Sequence, residues 1–261
     1  MKRLRNELFK YLRYFCLACV VALGLMTTVA TTHDDDDLHP SSPGAAFTGL
    51  RGTPAALLYN IGVSSVDSTR VTGFGLGGFG DVQGLAFDEN TNTLYGVDAT
   101  TAQLIKIDRV TGAGMGVGAL GFAGVNSLAL DPNTNTLYGF DAFTAQLIEI
   151  NRVTGMGMVV GATGFPGITG LAYDANNDIL YGIETAAGQL ITIDPATGVG
   201  TPKGLLGFPN VEGLAYDPNT DTLYGTDTTV GDPQLITIDP ATGVGTAEGS
   251  TGDMMFGLAF L

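Results

Sequence analysis

Carboxylate and amide side chains recur at fixed positions along this chain, and they are the groups with which it could do chemistry. One acidic residue closely follows each of four Leu-Tyr-Gly sequences, at Asp98, Asp141, Glu184 and Asp227. Oxygen ligands of this kind suit calcium, and they can also accept hydrogen bonds from sugar hydroxyls. Acidic residues at such places also serve as turn residues. Weak calcium or glycan binding and a purely structural role therefore both remain open.

A second set marks the most variable position of an otherwise repetitive chain. It is occupied by Gln83, Asn126, Thr169, Glu212 and Phe256. We expect this position to surround the mouth of a central channel, where a ligand could bind. Ligand contact and unconstrained loop variation both explain the variation, and the sequence leaves the two open.

Histidine and cysteine are missing from most of the chain. The only histidines are His33 and His39, and the only cysteines are Cys16 and Cys19. Residues 47–261 therefore contain no Ser-His-Asp triad, no Cys-His dyad and no histidine-ligated zinc or copper site. The acidic run between the two histidines is interpreted as a solvated tail.

Four loops begin with the Asp-x-Asn-x-Asn or Asp-x-Asn-x-Asp pattern of calcium-binding loops; their first residues are Asp88, Asp131, Asp174 and Asp217. An EF-hand loop also needs Gly at position six and Glu at position twelve. All four copies lack both, so the pattern favours hairpin turns in which the Asp side chain bonds the backbone.

A period of 43 residues organises these positions. Leu-Tyr-Gly begins at four places spaced by this interval: Leu94, Leu137, Leu180 and Leu223. Each period carries four short strand-like runs (A to D) separated by turns rich in Asn, Asp and Gly, which is typical of an antiparallel meander. Such a period predicts a β-propeller with one blade per repeat.

The two ends of the chain carry fragments of a further unit. Gly257–Leu261 matches strand A alone, Leu57–Ile61 resembles strand B, and Arg70–Gly73 matches the turn after strand C. We therefore expect an all-β, five-bladed β-propeller of four-stranded antiparallel blades over residues 47–261. Its ring would be closed by pairing of the C-terminal strand with the N-terminal blade, which removes exposed sheet edges.

The first 46 residues have a different composition. A basic segment followed by an apolar run to Ala30 predicts a secretory signal peptide over 1–30, with a retained anchor as the alternative. Residues 31–46 are predicted to be a disordered acidic linker. The chain beyond Ala30 has 6 basic and 25 acidic residues. This charge excludes nucleic-acid binding and disfavours contact with anionic membranes apart from the N-terminal segment.

Residues 213–225 (Gly-Leu-Ala-Tyr-Asp-Pro-Asn-Thr-Asp-Thr-Leu-Tyr-Gly) and 234–243 (Gln-Leu-Ile-Thr-Ile-Asp-Pro-Ala-Thr-Gly) carry a resemblance to a known repeat. They resemble a bacterial secreted β-propeller repeat of unknown function, similar to the quinoprotein-like and NHL-like propellers. The resemblance implies the fold and little about activity. The chain contains no Trp, so it departs from WD40 repeats and from quinoprotein blades.

These features favour a non-enzymatic, extracytoplasmic propeller that binds a protein or glycan partner or acts as a scaffold. The alternative is a calcium-dependent hydrolase or lactonase with its site at the channel mouth, because propeller lactonases use a comparable cluster of Glu, Asn and Asp. A third hypothesis is a structural domain of the envelope or matrix. No cofactor is expected, with calcium as the one candidate ion.

Overall fold

The structure, a computed structural model, describes residues 45–49, 58–62, 67–70, 78–229, 231, 233–252 and 254–260. All of them belong to the compact unit Pro43–Leu261, which separates from Met1–Ser42. The predicted signal peptide and residues 31–44 of the predicted linker lie outside the described residues. Within the described part, no helix has the length and apolar character needed to cross a membrane.

Twenty β-strands form the described regular structure. The N-terminal strands are β1 (Ala45–Gly49), β2 (Leu58–Gly62) and β3 (Asp67–Arg70). The first blade holds β4 (Val82–Asp88), β5 (Thr93–Asp98), β6 (Gln103–Ile107) and β7 (Gly114–Ala119). The second holds β8 (Val125–Asp131), β9 (Thr136–Asp141), β10 (Gln146–Ile150) and β11 (Gly157–Ala162). The third holds β12 (Ile168–Asp174), β13 (Ile179–Glu184), β14 (Gln189–Ile193) and β15 (Gly200–Leu205). The fourth holds β16 (Val211–Asp217), β17 (Thr222–Asp227), β18 (Gln234–Ile238) and β19 (Gly245–Ser250), and the last strand is β20 (Ala259–Phe260).

The predicted all-β propeller with four-stranded antiparallel blades is confirmed, but the predicted count of five blades is corrected to four. Four blades are complete, with their strands consecutive in sequence from β4 to β19. The remaining four-stranded sheet is a composite with the order β20-β1-β2-β3. Its C-terminal contribution is only the two residues of β20, which pair with Ala46 and Phe47. The sequence supplies four full repeats because the ends carry fragments that lack the motifs of a complete unit.

The strand assignment at the N-terminus is also corrected. The segment predicted as strand B corresponds to β2, which is the third strand of the composite sheet, and Arg70 belongs to β3 rather than to a turn. The second strand is β1, which begins at Ala45 inside the predicted linker. Its sequence, Ala-Ala-Phe-Thr-Gly, lacks the Leu-Tyr-Gly motif. The error arose because this strand carries no mark of the repeat.

The hydrophobic core lies between successive blades. One buried cluster joins Val97 and Leu104 of the first blade to Leu128 and Ile148 of the second. Similar clusters join the second blade to the third and the third to the fourth. The short apolar strands predicted from the repeat thus cannot bury their faces alone, and each blade depends on its neighbour for stability.

Glycines allow the blades to approach closely at the perimeter. A Cβ built at Gly161 in strand D of the second blade would lie 2.0 Å from the carbonyl oxygen of Thr197 in the third. Nearby, the amide of Gly200 donates to the carbonyl of Thr163 at 2.9 Å. The same close approach recurs at Gly118 and Gly204. The high glycine content therefore has a packing cause at these positions.

Candidate functional site

The connections between strands B and C meet the segments between strand D and the next strand A at one end of the propeller, called here the upper end. The amide of Ala99 donates to the carbonyl of Asp81 at 2.9 Å, and the amide of Leu120 donates to that of Ala102. Because strands run antiparallel within each blade, the A–B and C–D turns lie at the lower end. Both predicted sets of site residues belong to the upper end.

The variable position is part of strand A in the four complete blades, whereas Phe256 precedes β20. Asn126, Thr169 and Glu212 are each the extra residue of a β-bulge, where the register with strand B shifts. Asn126 donates to the carbonyl of Ile168 at 2.9 Å, and Thr169 donates to that of Val211 at 3.0 Å. Asn126 and Thr169 therefore each form a hydrogen bond that joins one blade to the next.

The structure brings only part of this set together at the channel mouth. Thr169, Glu212 and Phe256 line a cavity of about 10 Å³. Gln83 and Asn126 do not line it, and the Gln83 amide instead donates to both carboxylate oxygens of Asp81. A cavity of this volume holds about one water molecule. It has the size for a water or an ion, and a ligand role for the set stays a prediction.

The acidic residues at the ends of the B strands are buried and accept hydrogen bonds from nearby groups at the upper end. Asp141 accepts from the amide of Gly124 at 2.9 Å and from Thr144. Glu184 accepts from two backbone amides and from Gln189. Asp227 accepts from Thr229 and Gln234. These contacts are those of turn residues, and a ligand role for this set too stays a prediction.

Asp98 differs from its three counterparts. Its Oδ2 accepts from the amide and the hydroxyl of Thr101. Its Oδ1 is buried and has no hydrogen-bond partner in the part of the chain that the structure describes. The bonding pattern of this repeat position is therefore different in the first blade.

The interpretation of the Asp-x-Asn loops as turns is confirmed. Oδ1 of Asp131 accepts from the amides of Asn133 and Thr134 at 2.8 and 3.2 Å. The fifth residue, Asn135, has a φ of 64°, a conformation that Asn tolerates. Among the described residues, no group of three or more His, Cys, Asp or Glu side chains is placed to hold a metal ion.

The lower end of the channel carries a cavity that the sequence did not predict. Its volume is about 100 Å³, and Phe87, Tyr173, Tyr216 and Phe260 contribute to its lining. Burial, together with the hydrogen bond to Asp178, raises the pKa of Tyr173 well above its usual range. Burial and a 2.6 Å hydrogen bond from its hydroxyl to Asp221 raise the pKa of Tyr216 in the same way. Both tyrosines therefore donate to the A–B turn of their own blade and are neutral at physiological pH. These aromatic residues can be recognised in the aligned strand A sequences, because Phe87, Tyr173 and Tyr216 each come just before the Asp that ends the strand.

The outer strands differ sharply between blades. Met115 in β7 and Met158 and Val159 in β11 are 64%, 65% and 51% exposed. The positions equivalent to Met158 and Val159 in β15 are Thr201 and Pro202. We define Met115, Met158, Val159 and the turn residues Val110 and Val153 as the apolar rim. Its strand residues lie in the sequences Gly-Met-Gly-Val and Gly-Met-Val-Val, which contain no titratable group.

A groove of about 380 Å³ lies at the upper end of the third blade. Leu205, Phe208 and Pro209 line it together with Thr185 and small residues. The Thr185 hydroxyl already shares a 2.8 Å hydrogen bond with Thr169. The groove therefore offers mainly apolar contact and no charged side chain.

The chain matches no family model and no curated protein sequence. Solved structures do resemble it. A chain of a nidogen/laminin complex shares 12% identity with a TM-score of 0.59, over 84% of this chain and 98% of that one. A structural-genomics protein of unknown function from Bacteroides thetaiotaomicron VPI-5482 shares 16% identity with a TM-score of 0.59, over 84% of this chain and 62% of that one. TolB from Acinetobacter baumannii shares 12% identity with a TM-score of 0.52, over 79% of this chain and 53% of TolB.

These likenesses establish the β-propeller fold and nothing finer. The chain spans less than two thirds of the length of the second and third of these proteins. Propellers host many unrelated functions, so a function must be argued from sites.

Proposed function

We propose that this chain is an extracytoplasmic, non-catalytic binding module that engages a protein partner through the apolar rim of its first two complete blades. The exposed Met and Val side chains on β7 and β11 carry this proposal. The following observations support it.

Two positions of strand D are apolar in the first two complete blades and polar in the other two. Met115 and Met158 correspond to Thr201 and Thr246, and Val160 corresponds to Lys203 and Glu248. Proteins commonly protect an exposed sheet edge with charges or proline. The third blade has both, at Pro202 and Lys203, whereas β11 has neither. An unprotected apolar edge beside protected copies of the same edge favours a surface that is covered in use.

Strand β11 is suited to accept an added strand. It forms the end of its sheet, with β10 on its inner side and no described strand on the other. An extended peptide can pair with the backbone of such an edge and place alternate side chains against it. Exposed Met side chains adapt readily to different apolar groups. The partner is therefore proposed to supply an extended segment with apolar side chains.

The described cavities offer less to a glycan or a hydrolytic substrate. The channel mouth, at about 10 Å³, lacks room for a sugar ring. The larger groove on the third blade lacks the charged and unpaired polar groups that orient such ligands. The absence of His and Cys from residues 47–261 leaves few routes to catalysis.

The extracytoplasmic location is part of the proposal. It is supported by the predicted signal peptide over 1–30 and by the strongly acidic body of the chain. Analysis of the exported form by mass spectrometry tests it: a mature terminus near Thr31 is expected. An intact Met1 terminus would instead indicate a retained anchor.

A peptide-display library panned on the folded chain tests the binding surface. The selected peptides should be apolar and extended, and their affinity should fall at least tenfold in the double substitution Met158→Thr with Val159→Pro. This variant copies the third blade, so it should fold normally. The matched control, Ala247→Pro in β19, should leave the affinity unchanged. Equal loss in both variants, or none in either, would contradict the assignment.

A further inference from the structure

The unpartnered oxygen of Asp98 has a local cause. In the second blade, Oδ1 of Asp141 accepts a hydrogen bond from the amide of Gly124. The position equivalent to Gly124 in the first blade is Asp81. The carbonyls of both residues accept from the following loop at 2.9 Å, but the bulge of strand A falls at Gly84 in the first blade and at Asn126, one repeat position earlier, in the second. The first blade thus differs from the second both in this residue and in its bulge, and Oδ1 of Asp98 lacks the amide hydrogen bond that Asp141 accepts.

The geometry of the second blade indicates where the Asp81 side chain begins. A Cβ built at Gly124 would lie 2.6 Å from Oδ1 of Asp141. In the first blade, Val82 pairs with Asp98 and the Asp81 carbonyl accepts from the amide of Ala99. The Asp81 side chain therefore begins beside the loop that carries the Asp98 carboxylate, at the upper end of the first blade.

Gln83 completes the cluster. Its amide nitrogen donates to both carboxylate oxygens of Asp81, at 3.2 and 3.1 Å. Gln83 is largely buried, and Asp98 is only 1% exposed. A buried carboxylate oxygen without a partner is costly. The first blade therefore has an oxygen that needs a positively charged or donating group, next to a second carboxylate and an amide.

We propose that Asp81 and Asp98 bind one calcium ion, and that the Gln83 amide then turns over so that its Oε1 takes the place of its nitrogen beside Asp81 and becomes a further oxygen ligand. Calcium takes carboxylate, amide and carbonyl oxygens in flexible geometries. A loop can therefore bind it without a complete set of preformed ligands. The ion would satisfy the buried oxygen of Asp98, as the Gly124 amide satisfies that of Asp141 in the second blade. It would thereby stabilise the upper end of the first blade. This site is independent of the apolar rim and is structural rather than catalytic.

Isothermal titration of the EDTA-treated chain with calcium chloride tests the site directly. One calcium ion per chain is expected to bind, and calcium in hundredfold excess over its dissociation constant should raise Tm by roughly 5–10 °C. Asp81→Gly copies the second blade, so it should fold, abolish calcium binding and make Tm independent of EDTA. Asp98→Asn should also abolish the binding.

The control is Asp141→Asn, which changes the equivalent residue in a blade that has its own amide donor. Its calcium affinity should equal that of the unaltered chain. The absence of any heat of binding in the unaltered chain would overturn the proposal, and the oxygen would then be satisfied by water. Undiminished calcium binding in Asp81→Gly would overturn it as well, because the ion would then lie elsewhere.

Discussion

Arg152 of the second blade forms an ion pair with Asp88 of the first, with Nη1 2.5 Å from Oδ2. Asp88 is fully buried and is the last residue of β4, immediately before an A–B turn, whereas Arg152 lies in a C–D turn. The equivalent positions of the third and fourth blades are Pro195 and Pro240. The contact therefore joins only the first two complete blades, at the lower end of the propeller.

Replacement of Arg152 should destabilise the propeller. Arg152→Ala leaves the buried carboxylate of Asp88 with its Thr91 hydrogen bonds but without its cation. We expect the free energy of unfolding to fall by roughly 1–3 kcal/mol, measured by urea denaturation. Lys203→Ala, at an exposed position on β15, is the control and should change it by less than about 0.5 kcal/mol. Similar losses in the two variants would show that the ion pair contributes little.

The same ion pair predicts a dependence on acid. Burial raises the pKa of Asp88, but the Thr91 hydrogen bonds and Arg152 outweigh it, so the pKa lies below its ordinary value of 3.8. The contribution to stability is therefore complete above the pKa of the unfolded chain and is lost as the pH falls through the lower pKa of the folded chain. Tm measured between pH 6 and pH 2 should decline below about pH 4. In Arg152→Ala this decline should begin at a higher pH, and identical profiles for the two proteins would contradict the prediction.

The close approach of the blades makes Gly161 intolerant of a side chain. In Gly161→Ala, the methyl group would lie 2.0 Å from the Thr197 carbonyl oxygen, and separating the two backbones breaks perimeter hydrogen bonds. We expect a loss of roughly 2–4 kcal/mol in the free energy of unfolding. Gly164→Ala is the comparison, because Gly164 has a φ of 79° but nothing within 4 Å. It should cost only about 1 kcal/mol.

The C-terminal strand should be needed for stability. Deletion of residues 257–261 removes the buried Leu258 and exposes the edge of β1 that pairs with β20. Since a buried leucine truncated to alanine already costs about 2–5 kcal/mol, Tm should fall and the exposed edge should promote association. Calorimetry and size-exclusion chromatography measure both effects. Met254→Ala, at a partly exposed position, should leave both unchanged.

Asn126 should stabilise the contact between the second and third blades. Its side chain donates to the Ile168 carbonyl, so Asn126→Ala should cost roughly 1 kcal/mol in the free energy of unfolding. Glu212→Gln keeps the shape of the residue and should have a smaller effect. A larger effect of Glu212→Gln, seen only when calcium is present, would favour an ion at the channel mouth instead.

The sequence by itself determined the repeat, the four-strand blades and the turns. Leu-Tyr-Gly and the Asp-x-Asn loops act locally, through strand pairing and through bonds between a side chain and its own backbone. Local rules are repeated faithfully in each copy, and the four complete blades could be outlined from them. The composite sheet could not, because β1 has no repeat motif and takes its place only through pairing with β2 and β20.

The tertiary structure alone decided what the side chains do. The positions of Asn126 and Thr169 were predictable, but their contacts were not, because their partners lie in the next blade. The exposure of Met158 likewise depends on β11 being an edge that no described strand covers. The contrast between Asp98 and Asp141 depends on a neighbour distant in sequence. Such features arise where a blade contacts solvent or another blade. A periodic sequence does not specify which residues come close together at those places.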